Sequence, residues 1–277
     1  PTQKQVETMA WMLKNANTER IVLRTTTDSI QQSANPVTSK GQTEVLDSYS
    51  LAPTEDPLIY APGYPPLFNE QKARNIPPEG LRLQPDEGKH WADRHGNFTH
   101  QFEAVFQMLA LLYPSMRFNK VEIVINRTSL MYLHKISKEN STQSFHLDLE
   151  LVGNTLFIGR RVKNAKTTSN AFGHNFEEAF TIHDPDSHGA NGYFRVIKYQ
   201  LGDLEVVVRL EADAYKADNR RHVTVAPATP EELKNAAPRI PHGVPTCTKV
   251  VAAGAFVPQN HIIELKSNDS SKPKEQM

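Results

Sequence analysis

Two short stretches carry charged residues at spacings that could do chemistry: RLEADAYK, residues 209–216, and HIIELKS, residues 261–267. In an extended chain alternate residues face the same way, so Glu211 shares a face with Asp213, and Glu264 with Lys266. The lead-in LEVVV marks the first stretch as an interior strand, where two carboxylates on one face repel unless a cation lies between them. If the two strands pair, side chains across the ladder come within about 5 Å. Three carboxylates and an ammonium would then line one small cleft. Hard divalent cations such as Mg²⁺ or Mn²⁺ take oxygen ligands of this kind, and such a site can activate water and stabilise charge on a phosphoryl group. The spacing alone fits an exposed strand with a solvated, charged face equally well.

Three further segments shift that balance. GHNFEE (173–178) places Glu177 in the first turn of a helix, beside a glycine that permits close backbone approach. VINRTSL (124–130) ends an apolar strand at Arg127, whose guanidinium suits bidentate phosphate binding. SFHLDLELVGNTLFIGRR forms two alternating strands around Gly153-Asn154 and brings Arg160, a candidate contact to RNA phosphate, with Arg161, Lys163 and Lys166 close in sequence.

An E-x-D strand followed by an E-x-K strand is the pattern of PD-(D/E)XK nucleases. The ordered set of an arginine after a strand (Arg127), G-x-x-F-E (Gly173 to Glu177), E-x-D (Glu211 to Asp213) and E-L-K (Glu264 to Lys266) resembles the DXO-type family of RNA 5′-end decapping nucleases. YSLAPTEDPLIYAPGYPPLF and PPEGLR are similar to that family's N-terminal region, and the resemblance covers roughly residues 45–267. It implies a Mg²⁺- or Mn²⁺-dependent hydrolase that removes incomplete or non-standard caps or pyrophosphate from RNA 5′ ends, or degrades RNA 5′-to-3′, with a 5′-to-3′ exoribonuclease as a partner. Carried over residue by residue, it implies Glu177, Asp213 and Glu264 as metal ligands and Glu211 as a ligand directly or through water. Lys266 would orient the nucleophile and Arg127 would bind phosphate. Two departures stand out. Residues 216–259 read as a long insertion, and the chain stops at Met277 where the family continues, which reads as a truncation point or as a divergent member of that family. A non-catalytic RNA-end binding or exonuclease-regulating protein on the same fold is the alternative, and a DNA nuclease of the wider superfamily a third.

Positioning these groups requires strands. VEIVIN, SFHLDLELV, NTLFIGRRV, YFRVIKYQLG and LEVVVRLEADAY alternate or are β-branched, with Gly153-Asn154 and Gly202-Asp203 as turns. HQFEAVFQMLALLYP reads as a helix ended by Pro114, GHNFEEAF and PEELKNA as shorter ones. Residues 4–15 read as an amphipathic helix within an N-terminal segment (1–44), and 268–277 as a disordered tail. Tyr49 to Gly88 is dense in proline, which resists helix interiors and central strands, and reads as an ordered wrapping segment. The expected fold is α+β in a single domain over 45–267: a mixed, largely antiparallel sheet with flanking helices and a PD-(D/E)XK nuclease-like core.

Composition removes other classes. Lys plus Arg and Asp plus Glu are both 31, so 277 residues carry no net charge and any nucleic-acid contact must be a local patch. A single cysteine, Cys247, allows no internal disulfide, and no apolar run reaches the ~18–20 residues of a membrane span. The expected location is intracellular, nuclear or cytoplasmic. Three sequons (Asn97, Asn126, Asn140) read as chance matches. His90, His95 and His100 match no common zinc spacing. DPDSHG at 184–189 lacks the glutamate of a calcium loop, and Asp148 with Glu150 reads as the outer face of a half-buried strand.

Overall fold

The computed structural model describes residues 43–86, 101–137, 145–160, 171–217, 223–226, 229–240 and 247–267. The amphipathic segment 4–15, the histidines at 90, 95 and 100, the basic residues 161–166 and the tail 268–277 lie outside them. The elements run β1 (Glu44–Leu51), β2 (Leu58–Gly63), β3 (Leu67–Phe68), α1 (Glu70–Arg74), α2 (Glu103–Leu112), β4 (Ile123–Asn126), α3 (Arg127–Ser137), β5 (Leu147–Val152), β6 (Thr155–Arg160), α4 (Gly173–Ala179), β7 (Thr181–Ile182), β8 (Asn191–Leu201), β9 (Leu204–Glu211), β10 (Ala214–Tyr215), β11 (Val223–Val225), α5 (Pro230–Lys234), β12 (Lys249–Phe256) and β13 (Ile262–Ile263). The class is α+β with mixed sheet pairing and few helices. No helix among the described residues is long and apolar enough to cross a membrane.

The chain divides into two compact units, one from Pro1–Leu46, Met116–Lys163 and Val196–Leu210, the other from Asp47–Ser115, Asn164–Arg195 and Glu211–Met277. In the first unit the strand order is β8-β9-β4-β6-β5. There β4 lies parallel to β6 and to β9, while β5 and β6 form the antiparallel hairpin expected around Gly153. Ile125, Ile158, Val206 and Val208 pack as its core, with Leu130 of α3 against them. The β-branched run VEIVIN thus becomes a strand buried on both faces, as parallel pairing favours. Strand β5 is an outer strand that is half-buried only at its start: Leu147 packs on that core, whereas Leu149 and Leu151 are 64% and 69% exposed.

In the second unit the order is β11-β12-β2-β1-β8, beside a smaller sheet β13-β10-β3-β7. Here the proline-dense stretch departs from its reading as a wrapping segment. Strand β2 is buried along its whole length and lies between β1 and β12. Its prolines do little harm because Pro53 and Pro57 fall in the β1–β2 connection, and the β1–β2 register covers Ser50↔Tyr60 and Leu51↔Ile59, short of Pro62. Described residues within 216–259, the stretch read as a long insertion, also form strands of this unit. They supply β12, which runs parallel to β2 from Lys249↔Leu58 to Gly254↔Gly63, and β11 outside it. The apolar cluster there joins Leu58, Tyr60 and Tyr64 to Val251 and Ala253.

Helix α2 ties this stretch down through two buried side chains one turn apart. Glu103 accepts the Thr248 N–H, and Gln107 accepts the N–H groups of Arg239 and Ile240 while donating to the Ile240 carbonyl. Replacing Gln107 with leucine removes three bonds and is expected to cost about 1–2 kcal/mol, because the exposed backbone at 239–240 can turn to water. The urea midpoint should fall with the slope unchanged.

Candidate functional site: carboxylates at the β10–β13 pair

Five of the seven residues singled out in the sequence, Glu177, Glu211, Asp213, Glu264 and Lys266, belong to the second unit. Arg127 and Arg160 belong to the first. Arg127 is exposed as the opening residue of α3, and Arg160 lies at the end of β6 with its guanidinium 6.0 Å from the Tyr132 ring.

The E-x-D and E-x-K segments do pair. Strands β10 and β13 are antiparallel, with Ala214 opposite Ile263 and Tyr215 opposite Ile262. The strands themselves are shorter than expected. Strand β9 ends at Glu211, Asp213 falls in a two-residue break before β10, and Glu264 and Lys266 follow β13 rather than lying within it. Alternation survives the break: Ala212 and Ala214 are buried, while Glu211 and Asp213 face away from that core. The Ala212 N–H donates to the Tyr193 carbonyl at 2.8 Å, so the break is pinned to β8. Across the gap, the Leu265 N–H donates to Asp213 Oδ2 at 2.6 Å.

Glu177 arrives on α4, in its second turn rather than the first, since the helix begins at Gly173. Gly173 is not needed for a close approach, because a Cβ there would meet only Glu177 Oε1 at an ordinary 3.9 Å. What fixes this helix is Asp86, buried to 1% exposure, whose two carboxylate oxygens accept the N–H groups of His174 (3.0 Å) and Asn175 (2.8 Å). A carboxylate at the first turn satisfies orphan donors and favours the helix dipole. Sequence reading missed Asp86, 88 residues from its partner His174, and no local signal marks it.

The surroundings of Asp213 disfavour its ionised form. Burial pushes the Asp213 carboxyl up to about 6, Glu177 and Glu264 push the same way, and the Leu265 N–H and Lys266 oppose them. His174 lies with Nδ1 3.8 Å from Glu177 Oε2 and is held above its ordinary value, first by that glutamate and then by the charges of Asp86 and Glu211. Lys266 Nζ is 2.6 Å from Glu264 Oε1. Replacing Lys266 with methionine is therefore expected to move the Asp213 titration still higher, which a carboxyl ¹³C NMR titration would read directly.

The donor chemistry suits a hard divalent cation, since Glu177, Glu211, Asp213 and Glu264 all offer carboxylate oxygens. The convergence expected for Glu177, Asp213 and Glu264 is not formed. Among the described residues no three His, Cys, Asp or Glu side chains come together as a ligand set. Each carboxylate has a different partner instead, Glu177 with His174, Asp213 with the Leu265 amide and Glu264 with Lys266.

A family model described as a domain of unknown function (DUF8563) matches residues 20–277. No curated protein matches the sequence. Among solved structures, S. pombe Rai1 is similar at 12% identity and a TM-score of 0.39, over 70% of this chain and 59% of that one. K. lactis Dxo1 in complex with manganese matches at 12% and 0.42, over 69% and 56%. Candida albicans Rai1 in complex with pU5-Mn²⁺ matches at 15% and 0.42, over 66% and 57%. The chain thus spans less than two thirds of the length of each of these structures.

Proposed function

The chain belongs to the domain-of-unknown-function family DUF8563, and from the chemistry of its own site we propose that it is a metal-dependent hydrolase of RNA 5′ ends with a PD-(D/E)XK-like core. The reaction class is hydrolysis of a phosphodiester or pyrophosphate bond, as in removing incomplete or non-standard caps or pyrophosphate, or in trimming RNA 5′-to-3′. The observation that carries the reading is the β10–β13 pairing, which sets Asp213 against the segment of Glu264 and Lys266 with Glu177 in electrostatic range.

Glu177, Glu211, Asp213 and Glu264 would hold Mg²⁺ or Mn²⁺. When bound, such an ion supplies an activated water and stabilises charge building on the phosphoryl group. The Leu265 N–H fixes the Asp213 carboxylate through Oδ2, so its direction is set by backbone rather than by a free rotor. Lys266, 66% exposed at its side chain, pairs with Glu264 and is the group to orient the nucleophile or meet the substrate's anion. Arg127 and Arg160 are the proposed contacts to RNA phosphate, and binding through them weakens steeply with salt. A 5′-to-3′ exoribonuclease partner and a nuclear or cytoplasmic location accompany this reading. A second reading, a non-catalytic RNA-end binder, is favoured by one observation, the separate partners of the three carboxylates.

Incubation with 5′-triphosphate, capped, NAD-capped and 5′-monophosphate RNA in Mn²⁺, Mg²⁺ or EDTA separates the two. The hydrolase reading expects product from at least one substrate with metal, none in EDTA, and none from an Asp213→Ala/Glu264→Ala double variant. Wild type and variant that are equally inert yet bind RNA alike would establish the binder.

A further inference from the structure

Arg195 is the largest side chain among the described residues to be wholly withdrawn from water. None of the chemistry proposed above uses it. It sits on β8, two residues after Tyr193. Its Nη1 donates to the Val257 carbonyl at 2.7 Å, its Nε donates to Gln259 Oε1 at 3.2 Å, and its guanidinium lies 5.4 Å from the centre of the Phe256 ring. Asp47 supplies the opposing charge, itself only 7% exposed and bonded to the Ser48 N–H and the Tyr113 hydroxyl. The Tyr193 hydroxyl donates to Ser48 Oγ, which donates on to the Pro62 carbonyl. Nη2 has no hydrogen-bond partner among the described residues.

A buried ion set in this way is costly, and apolar side chains of similar volume often replace one without loss of stability. Its geometry points to what the charge does. Val257 lies just before, and Gln259 opens, the turn Gln259–His261, which leads directly into β13 and then to Glu264, Leu265 and Lys266. One strand position earlier on the same face, the Tyr193 carbonyl accepts the N–H of Ala212, between Glu211 and Asp213. Strand β8 therefore holds both acid-bearing segments from residues 193 and 195. A guanidinium can hold a carbonyl and an amide oxygen of one segment at a fixed angle, which an ammonium or a methyl group cannot.

We propose that Arg195 is a positioning residue that sets the Glu264–Lys266 segment against Asp213. Its consequence for metal binding rests on the hydrolase reading, while its effect on the Leu265–Asp213 contact does not. The experiment uses the full chain with three substitutions. Arg195→Lys keeps the charge and loses the fork. Gln259→Ala removes one of its two bonds at an exposed residue, so folding is preserved. Gln107→Leu weakens the distant α2 clamp and serves as the control for general destabilisation.

Native-state amide exchange at Leu265, measured without metal, should accelerate about tenfold or more in Arg195→Lys, and to a smaller degree in Gln259→Ala, while Gln107→Leu leaves it near wild type. Mn²⁺ affinity, followed by electron paramagnetic resonance, should fall about tenfold in Arg195→Lys and be unchanged in the control. Leu265 exchange unaltered in both Arg195→Lys and Gln259→Ala overturns the proposal. So does exchange that is faster by the same factor in Gln107→Leu, which confines Arg195 to folding, whereas Mn²⁺ affinity intact in Arg195→Lys overturns its consequence for metal binding. A wild-type chain that binds no Mn²⁺ removes the hydrolase reading, and the proposal then stands or falls on the Leu265 exchange alone.

Discussion

Asp213→Asn is expected to abolish metal-dependent hydrolysis, by about 10³-fold or more, and at the same time to raise the melting temperature of the chain at pH 8 in EDTA. The two effects share one cause. The folded chain holds the Asp213 carboxyl at about 6, above its ordinary 3.8, through burial first and then through Glu177 and Glu264. A raised carboxyl means that the folded state binds the proton more tightly than the unfolded state, so this group's contribution to stability falls as pH rises from 3.8 towards 6. Above 6 the full cost is present. Asparagine carries no charge to bury, yet its Oδ1 can still accept the Leu265 N–H. The stability advantage of the variant should therefore be largest near pH 8 and shrink as pH falls towards 4, while its activity is lost throughout. Melting curves of both proteins across that range, in EDTA, are the check. Equal melting temperatures at pH 8 would mean that the Asp213 carboxyl is not held in the buried, acidic surroundings described.

The second large effect lies away from the acids. Gly254 and Gly63 face each other in the β2–β12 register, both in the left-handed region at φ of +95° and +89°. A Cβ built on Gly254 would lie 1.9 Å from the Gly63 carbonyl oxygen and 2.4 Å from its carbon, both backbone atoms that cannot swing aside. Backbone strain and overpacking then add, for a cost of about 3–5 kcal/mol in Gly254→Ala. In a chain of this size that amounts to a fall in melting temperature of roughly 10 °C. Gly153→Ala makes the comparison, since its φ of +59° is strained but nothing lies within 4 Å of the added carbon. Calorimetry should rank wild type above Gly153→Ala and Gly153→Ala well above Gly254→Ala.

How much of this was legible in the sequence follows from where the determining contacts lie. Helix α2 and strands β4, β5, β6, β8 and β9 were readable because period and composition are local properties. The pairing of RLEADAY with HIIELKS was readable as a condition, since like charges on one face call for a partner. Strand β12 was not read. KVVAAGAF is built of small residues and is surrounded by polar ones, so its central place appears only through the parallel register with β2. A glycine inside that run was the available hint, because a strand glycine marks close backbone approach. Strand β2 was hidden by prolines that in fact lie outside its β1 register. Helix α3 follows β4 with no turn residue between them, so the apolar strand ending at Arg127 masks the start of RTSLMYLHKIS, which runs on without a breaker. Asp86 and Arg195 owe their roles to partners 88 and 62 residues away, and nothing local marks either.

The central claim is that the three carboxylates from α4, the β9–β10 break and the end of β13 serve one metal ion. Anomalous diffraction from crystals grown with Mn²⁺ tests it most directly. One strong peak is expected, contacted by carboxylate oxygens of Glu177, Asp213 and Glu264 together, with the Lys266–Glu264 pair opened. Crystals that hold Mn²⁺ elsewhere, with Glu264 still paired to Lys266 and Glu177 to His174, would contradict it.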